Sequence, residues 1–324
     1  MGSIETLEIL SPGPLTTVQD LGRIGFGRYG VAPGGTLDSF SLRIGNLLAG
    51  NNEYEACLEI TLMGLRAKAL TDLLIAVTGA DLKPHLNDKP IGTWCSQILR
   101  KGETLFFKGP KNGCRAYLAL GGGISITQIM GSKSTNLGSG FGGLEGRPLK
   151  KGDVLQSNSP HTHLKAEGRT LDRKLRPSYT DEWVLRIIFG PQNDQFTQKS
   201  RKDFLGSPFK IKPQSDRTGI RLTGPAIHSK TGMEKSIISE GVISGTIQIP
   251  GDGQPIIILN ETVSGGYRKI ATVIAADLPK LGQIKPGDRI YFKEVSMDDA
   301  YLALNKLEET VRKFKQSISG PSPD

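Results

Sequence analysis

Cysteine is scarce in this chain. Cys57, Cys95 and Cys114 are the only three in 324 residues, and no two form a CxxC pair. A disulfide framework and a cysteine-based zinc site are therefore excluded as organising features. Histidine is nearly as rare: His161 and His163 stand together without cysteine or carboxylate companions, and His85 and His228 stand alone. That set is too thin for a metal centre. No apolar run approaches the ~18 residues of a membrane span. With no secretory leader, reduced thiols and a cytoplasmic location are expected. The opening MGSIET matches a myristoylation pattern at Gly2 and Thr6, but IETLEIL already alternates as a first strand.

Catalytic signatures are missing too. There is no GxSxG elbow and no cysteine in a nucleophilic context, so covalent catalysis has no visible candidate. GSGFGG, Gly138 to Gly143, satisfies GxGxxG, yet LEGRPLKKGD follows it where a dinucleotide fold needs a helix. GSKST at Gly131 lacks the Gly-Lys-Ser/Thr order of a phosphate loop, so any ATP chemistry is expected to draw on another chain. The net charge of +9 comes without a helix-turn-helix, zinc finger or aromatic RNP pattern. An anionic small ligand or an acidic partner surface accounts for the charge, and nucleic acid is not implied.

What the chain does have is 41 glycines and 19 prolines, a composition that suits short strands and tight turns. The length exceeds what one core usually serves, so two lobes are expected. LRKGETLFFK at Leu99, LKKGDVLQ at Leu149 and IKPGDRIYFK at Ile284 each place a basic glycine turn before an apolar strand. The polar segment 161–182 is the expected linker between an N-terminal β-rich lobe, 1–160, and a C-terminal lobe, 183–316, with a frayed tail at 317–324. Helices are few. Thr36 is placed to cap one carrying Leu37, Phe40, Ile44, Leu47 and Leu48, a second follows Pro191, and Ser296 caps the last.

Polar residues recur where strands should be. Gln19, Asp20, Arg23 and Asp38 sit among glycines in TTVQDLGRIGFGRYGVAPGGTLD; Asp216 and Arg217 lie beside Arg221; Gln248, Asp252 and Gln254 punctuate SEGVISGTIQIPGDGQPIIIL. Each carboxylate near an arginine is either a structural ion pair closing a loop or part of a site. LNETVSGGYRKIATVIAADL poses the same choice. Gly265, Gly266, Tyr267, Arg268 and Lys269 interrupt two apolar runs, as a hairpin with solvated cations or as a loop whose glycines let backbone approach a ligand.

Together, SPGPLTTVQDLGR, GVAPGGTLDSFSLRIGNLLAGN, LEIT, PQSDRTGIRLTGP, SEGVISGTIQIPGDGQPIIIL and SGGYRKIATVIAADLPKLGQIKPGD resemble the carboxyltransferase family of allophanate-hydrolase subunit 2 type. The C subunit of the bacterial ATP-dependent 5-oxoprolinase and the matching part of urea carboxylase belong to that family. The resemblance runs from about Leu7 to Phe292. It implies a mainly β fold of cyclophilin-like, barrel-like lobes with a few helices, and action on a planar amide or ureido group. It also implies a related β-barrel partner, of the B-subunit or allophanate hydrolase subunit 1 type, and a hydrolase-type partner, the A subunit. ATP would be used by the assembled complex, and the single chain is expected to be inactive alone. The alternatives are a biotin-dependent carboxyltransferase half and a regulatory antagonist of a kinase inhibitor. Where the family's loop usually reads Thr-Gly-Gly-Tyr-Pro, this chain has Ser264-Gly265-Gly266-Tyr267-Arg268, which frees the backbone after Tyr267.

An amide is a poor electrophile, and opening it requires stabilisation of the charge that develops on oxygen. Lys269 and Arg23 are the cations placed for that task. Gln19, Gln248 and Gln254 can each donate to a carbonyl and accept from an N–H. Asp20, Asp216 and Asp252 are candidates for a base or for orienting the cations, with Asp38 and Arg217 beside them, and Tyr267 can close the loop over a flat ligand. The loop reading of Gly265–Lys269 is therefore preferred over a spare hairpin.

Overall fold

The computed structural model describes residues 2–234 and 236–318. Contacts divide the chain into two units. Met1–Arg23, Gly34–Tyr179 and the chain from Leu307 on make the first, and Ile24–Pro33 with Thr180–Lys306 make the second. The frayed tail expected at 317–324 lies, from 319 on, outside the described residues, and 317 and 318 still belong to the last helix.

The first unit is two antiparallel sheets. Its elements in chain order are β1 (Ser3–Pro12), β2 (Leu15–Gln19), α1 (Ser39–Leu48), β3 (Cys57–Thr61), β4 (Leu65–Ala69), β5 (Leu73–Gly79), β6 (Pro84–Leu86), β7 (Lys89–Pro90), β8 (Cys95–Leu99), β9 (Thr104–Phe107), β10 (Arg115–Leu120) and β11 (Val154–Asn158). One sheet runs β11-β1-β4-β9-β6-β7 and the other β2-β3-β10-β5-β8. Leu7, Ile9 and Leu105 of the first sheet meet Leu58, Ile60 and Leu118 of the second in one core, all fully buried. Each such side chain contributes about 1.5–3 kcal/mol of burial. Two of the three rhyming turns feed strands here, β9 and β11. Within the polar segment after 160, Leu171 is fully buried and Ser96 Oγ donates to the Ala166 carbonyl at 2.6 Å, anchors that local polarity conceals.

α1 buries Leu42, Ile44 and Leu48 completely, together with Val311 and Phe314 from the C-terminal helix. Its cap differs from expectation. Asp38, not Thr36, is the N-cap residue and accepts from the Ser41 N–H at 2.9 Å. Thr36 instead holds the Asp38 N–H from the turn before, 3.3 Å away, because the helix begins two residues later than its apolar pattern.

The second unit is a barrel. It contains β12 (Glu182–Phe189), α2 (Gln198–Gly206), β13 (Phe209–Ile211), β14 (Gly219–Thr223), β15 (Glu240–Gly241), β16 (Thr246–Ile249), β17 (Ile256–Ile258), β18 (Ser264–Gly265), β19 (Arg268–Val273), α3 (Leu278–Leu281) and β20 (Arg289–Glu294), followed by α4 (Met297–Ile318). β12-β19-β16-β17-β14-β13-β20 close on themselves, with β12 and β20 parallel. The fold is thus mainly β with few helices, as expected. Phe204, Phe209 and Phe292 pack as an aromatic cluster, the first and last stacked at 4.4 Å. β15 and β18 form a separate ribbon. Thr197 caps α2 by accepting from the Ser200 N–H, and Ser296 caps α4 as expected, accepting from the Asp299 N–H at 3.1 Å.

Candidate functional site

In the first unit a carboxylate sits inside a ring of donors. Asp20, just past the end of β2, accepts from the Gly22 N–H at 2.8 Å, the Lys133 N–H at 2.6 Å, Ser132 Oγ at 2.6 Å and Ser134 Oγ at 2.5 Å. The GSKST segment therefore wraps a protein carboxylate. Its lysine is taken up as well, with Lys133 Nζ donating to Glu55 at 2.5 Å and to the Ile124 carbonyl at 2.8 Å. Donors already turned onto Asp20 and Glu55 do not fit a phosphate, so this segment is not an ATP cradle. A carboxylate with four donors, three of them on Oδ1 and one on Oδ2, is an orienting hub.

The same segment positions the neighbouring candidates. Arg23, 1% exposed, donates through Nη2 to the Ser134 carbonyl at 2.5 Å and through Nε to the Ile129 carbonyl at 3.1 Å. Gln19 Nε2 donates to the next carbonyl, that of Thr135, at 3.2 Å. Each keeps one atom free: among the described residues Arg23 Nη1 and Gln19 Oε1 are buried without a hydrogen-bond partner. Phe141 lies under the guanidinium at 4.7 Å. The glycine-rich loop is what brings it there, since at Gly142, with φ +72°, a Cβ would strike the Ser134 carbonyl and Arg23 Nη2. Burial holds the Arg23 guanidinium below its ordinary pKa, against the opposing charge of Asp20. Asp38 is taken up by capping, with Ser41 Oγ donating to it at 2.6 Å.

In the second unit the Gly265–Lys269 loop is no solvated hairpin. Arg268 and Lys269 are 5% and 6% exposed. Arg268 Nε donates to Gln195 Oε1 at 2.7 Å, and its Nη1 donates to the Glu234 carbonyl. Lys269 Nζ donates to Glu240 at 2.6 Å, and Gln192 binds both partners, accepting the Lys269 N–H at 3.1 Å and donating to Glu240 at 3.3 Å. Glu240 is half exposed, and the Lys269 ammonium holds its carboxyl below the usual range.

Gln248 completes this group. The β16–β19 register places it opposite Lys269, just past an irregularity that starts after Ile247. Irregular ladders of this kind re-aim side chains. Its Nε2 is buried without a partner among the described residues. A Cβ on Gly265 would overlap that amide, so the glycine is what lets backbone lie against it.

The other candidates separate. Asp252, Gln254 and Tyr267 line one cavity of about 340 Å³ with Lys212 and Arg221. Asp216 is exposed and closes its own turn, accepting from the Thr218 and Gly219 N–H groups at 2.8 and 3.1 Å. Arg217 pairs with Glu261 at 2.7 Å, both buried. Gly266 accepts from the Ile237 N–H at 2.8 Å. Sequence reasoning missed Glu240, Gln192, Ser132 and Ser134. Glu240 and Gln192 lie in no motif, Ser132 and Ser134 lie in GSKST but without a sign of their partner, and each is recruited by contacts distant in sequence, Glu240 through the β15–β18 ribbon.

The carboxyltransferase domain, subdomain A and B, is the family whose model matches this chain, over residues 29–294. The 5-oxoprolinase C subunit of Escherichia coli is 38% identical over 314 residues, covering 96% of this chain and 97% of that protein. Urea amidolyase of Lachancea kluyveri is 36% identical over 94% of this chain, which spans 17% of it. The crystal structure of the K. lactis urea amidolyase superposes with a TM-score of 0.90 at 32% identity, over 95% of this chain and 20% of that one.

Proposed function

For a chain that belongs to the carboxyltransferase family of subdomains A and B, we propose the role of the C subunit in an ATP-dependent 5-oxoprolinase, which opens the lactam of 5-oxo-L-proline to L-glutamate. The observation that carries this reading is the end-to-end similarity to the E. coli protein, nearly complete in both lengths. The geometry of the second unit supports it. Lys269, beside a strand irregularity, carries an ammonium paired with Glu240, and Gln248 on the opposite strand has an amide N–H without a partner among the described residues. A lactam oxygen gains negative charge as its carbonyl is attacked, and a fixed cation with a fixed N–H stabilises that charge. Glu240 is the resting counter-ion of Lys269, half exposed and free to yield to the substrate oxygen. In the first unit Arg23 Nη1 and Gln19 Oε1 offer a donor and an acceptor, the pair an amide group requires.

ATP activates the amide when the complex is assembled. The donors of GSKST are turned onto Asp20 and Glu55, so the nucleotide is assigned to the partners, a related β-barrel chain of B type and a hydrolase-type chain. Coexpression of the three chains tests the reading. ATP-dependent 5-oxoproline hydrolysis is expected from the assembly and not from this chain alone. Robust turnover by the single chain overturns the assignment.

The similarity to urea amidolyase, of which this chain spans less than a fifth, supports a second reading as the carboxyltransferase half of a biotin-dependent system. Activity that appears only with a biotinylated carrier protein selects it.

A further inference from the structure

The cavity in the barrel unit has a charge pattern of its own. Lys212 and Arg221 line it with Asp252, Gln254 and Tyr267, and its volume of about 340 Å³ falls in the range of about 300–1,000 Å³ typical of small-molecule sites. The two cations are neighbours by register. β13 and β14 pair Ile211 with Leu222, and at the next position the Lys212 N–H donates to the Arg221 carbonyl at 2.8 Å. Like charges facing each other across an antiparallel pair destabilise it. No ion pair relieves this one, because neither side chain meets a carboxylate partner among the described residues.

The remaining wall is polar in a different way. Gln254 is fixed, its Oε1 accepting from the Gly224 N–H at 2.9 Å and its Nε2 donating back to the Gly224 carbonyl at 3.3 Å. Asp252 is exposed; its Oδ1 accepts from the Gln254 N–H at 3.0 Å, and Oδ2 has no partner among the described residues. The cavity therefore offers two cations, one carboxylate and the ring and hydroxyl of Tyr267.

We propose that this cavity binds an α-amino dicarboxylate, with Lys212 and Arg221 on its two carboxylates and Asp252 on its ammonium. The identity of the ligand rests on the 5-oxoprolinase reading. Hydrolysis adds water across the lactam C–N bond: the carbonyl carbon becomes a second carboxylate, and the ring nitrogen leaves as an amine that takes up a proton. The substrate carries one carboxylate and no ammonium. The product matches the cavity group for group, so the site retains glutamate after ring opening, apart from the Lys269–Gln248 pair.

Calorimetric titration of the purified chain and of the assembled complex with L-glutamate, glutarate and 5-oxoproline tests this. Glutamate is expected to bind at least about tenfold more tightly than 5-oxoproline. Asp252→Asn should abolish the preference for glutamate over glutarate, which lacks the ammonium, and Arg221→Gln should weaken both. Both positions are exposed, so thermal melting of the variants should match the wild type. Equal binding of glutamate and 5-oxoproline, absence of glutamate binding, or binding indifferent to both substitutions overturns the proposal. A complex without turnover whose chain still shows this pattern sinks the parent reading and keeps the cavity assignment. A complex that turns over, with product inhibition blind to both variants, does the reverse.

Discussion

Gln248 stands opposite Lys269 in the β16–β19 ladder, and only one of the two is satisfied: Lys269 Nζ holds Glu240 at 2.6 Å, while Gln248 Nε2 has no partner among the described residues. Leaving such a donor buried and unpaired costs about 1–3 kcal/mol. Gln248→Leu is therefore expected to keep or raise the melting temperature while reducing turnover of the assembled complex by at least about tenfold. Gly265→Ala should also reduce turnover, because its Cβ displaces the same amide, and adding Gln248→Ala should make the glycine change nearly silent. Melting curves and steady-state kinetics on Gln248→Leu and on the four proteins of the Gly265→Ala/Gln248→Ala cycle check both statements.

Arg268 and Lys269 should separate into a stability effect and a turnover effect. Arg268 is buried and holds Gln195 and the Glu234 carbonyl. Arg268→Ala should destabilise the chain by about 2–3 kcal/mol through the partners it strands. Lys269→Met keeps the aliphatic stem and releases a carboxylate that already reaches solvent. It should cost less than about 1 kcal/mol of stability and at least about tenfold in turnover. Denaturant unfolding of the isolated chain, set against kinetics of the complex, distinguishes the two.

Asp20→Asn tests the hub in the first unit. Four donors converge on the carboxylate, and an amide accepts fewer of them while adding N–H groups of its own. The expected loss is about 2–4 kcal/mol of stability. Activity per folded molecule should fall as well, because Ser134 also carries Arg23. A variant as stable as the wild type would remove Asp20 from this role.

Asp277 sets an acid limit on the barrel. It is fully buried. Burial pushes its carboxyl up, but the Arg186 side chain and N–H and the Lys280 ammonium outweigh burial and hold it below its usual value. A carboxyl depressed in the folded state contributes stability that is complete above its unfolded pKa and disappears as pH falls through the folded one. Wild type should lose stability as pH drops below about 5. Asp277→Asn should start about 3 kcal/mol lower at neutral pH and fall less steeply over the same interval, as read by denaturant midpoints at stepped pH.

Local pattern carried much of this molecule. The three rhyming glycine turns each feed a strand, the apolar stripe of α1 is buried as its spacing requires, and Ser296 opens α4. The grouping of candidate residues was legible where it lay in one stretch, as in Gly265 to Lys269, whose cations are buried and paired. It was not legible where pairing supplies it. Glu240 reaches Lys269 because a two-residue ribbon sets it beside Gly265, and Ser132 and Ser134 matter only because they fold back over a hundred residues onto Asp20. The cap on α1 shifted from Thr36 to Asp38 because both residues are good caps and apolar spacing does not fix the first turn.

The first unit resumes at Leu307 after the whole barrel has been inserted into its sequence, and this sets an order of assembly. Val311 and Phe314 belong to the same buried cluster as Leu42 and Leu48, so α1 waits through the synthesis of the intervening chain before its apolar face is fully covered. The barrel strands all emerge in the interval, and domains tend to fold as units while the ribosome is still extending the chain. The segment translated first is thus finished last. A ribosome stalled short of Val311 should release a barrel already resistant to protease and a sheet unit that is still cleaved.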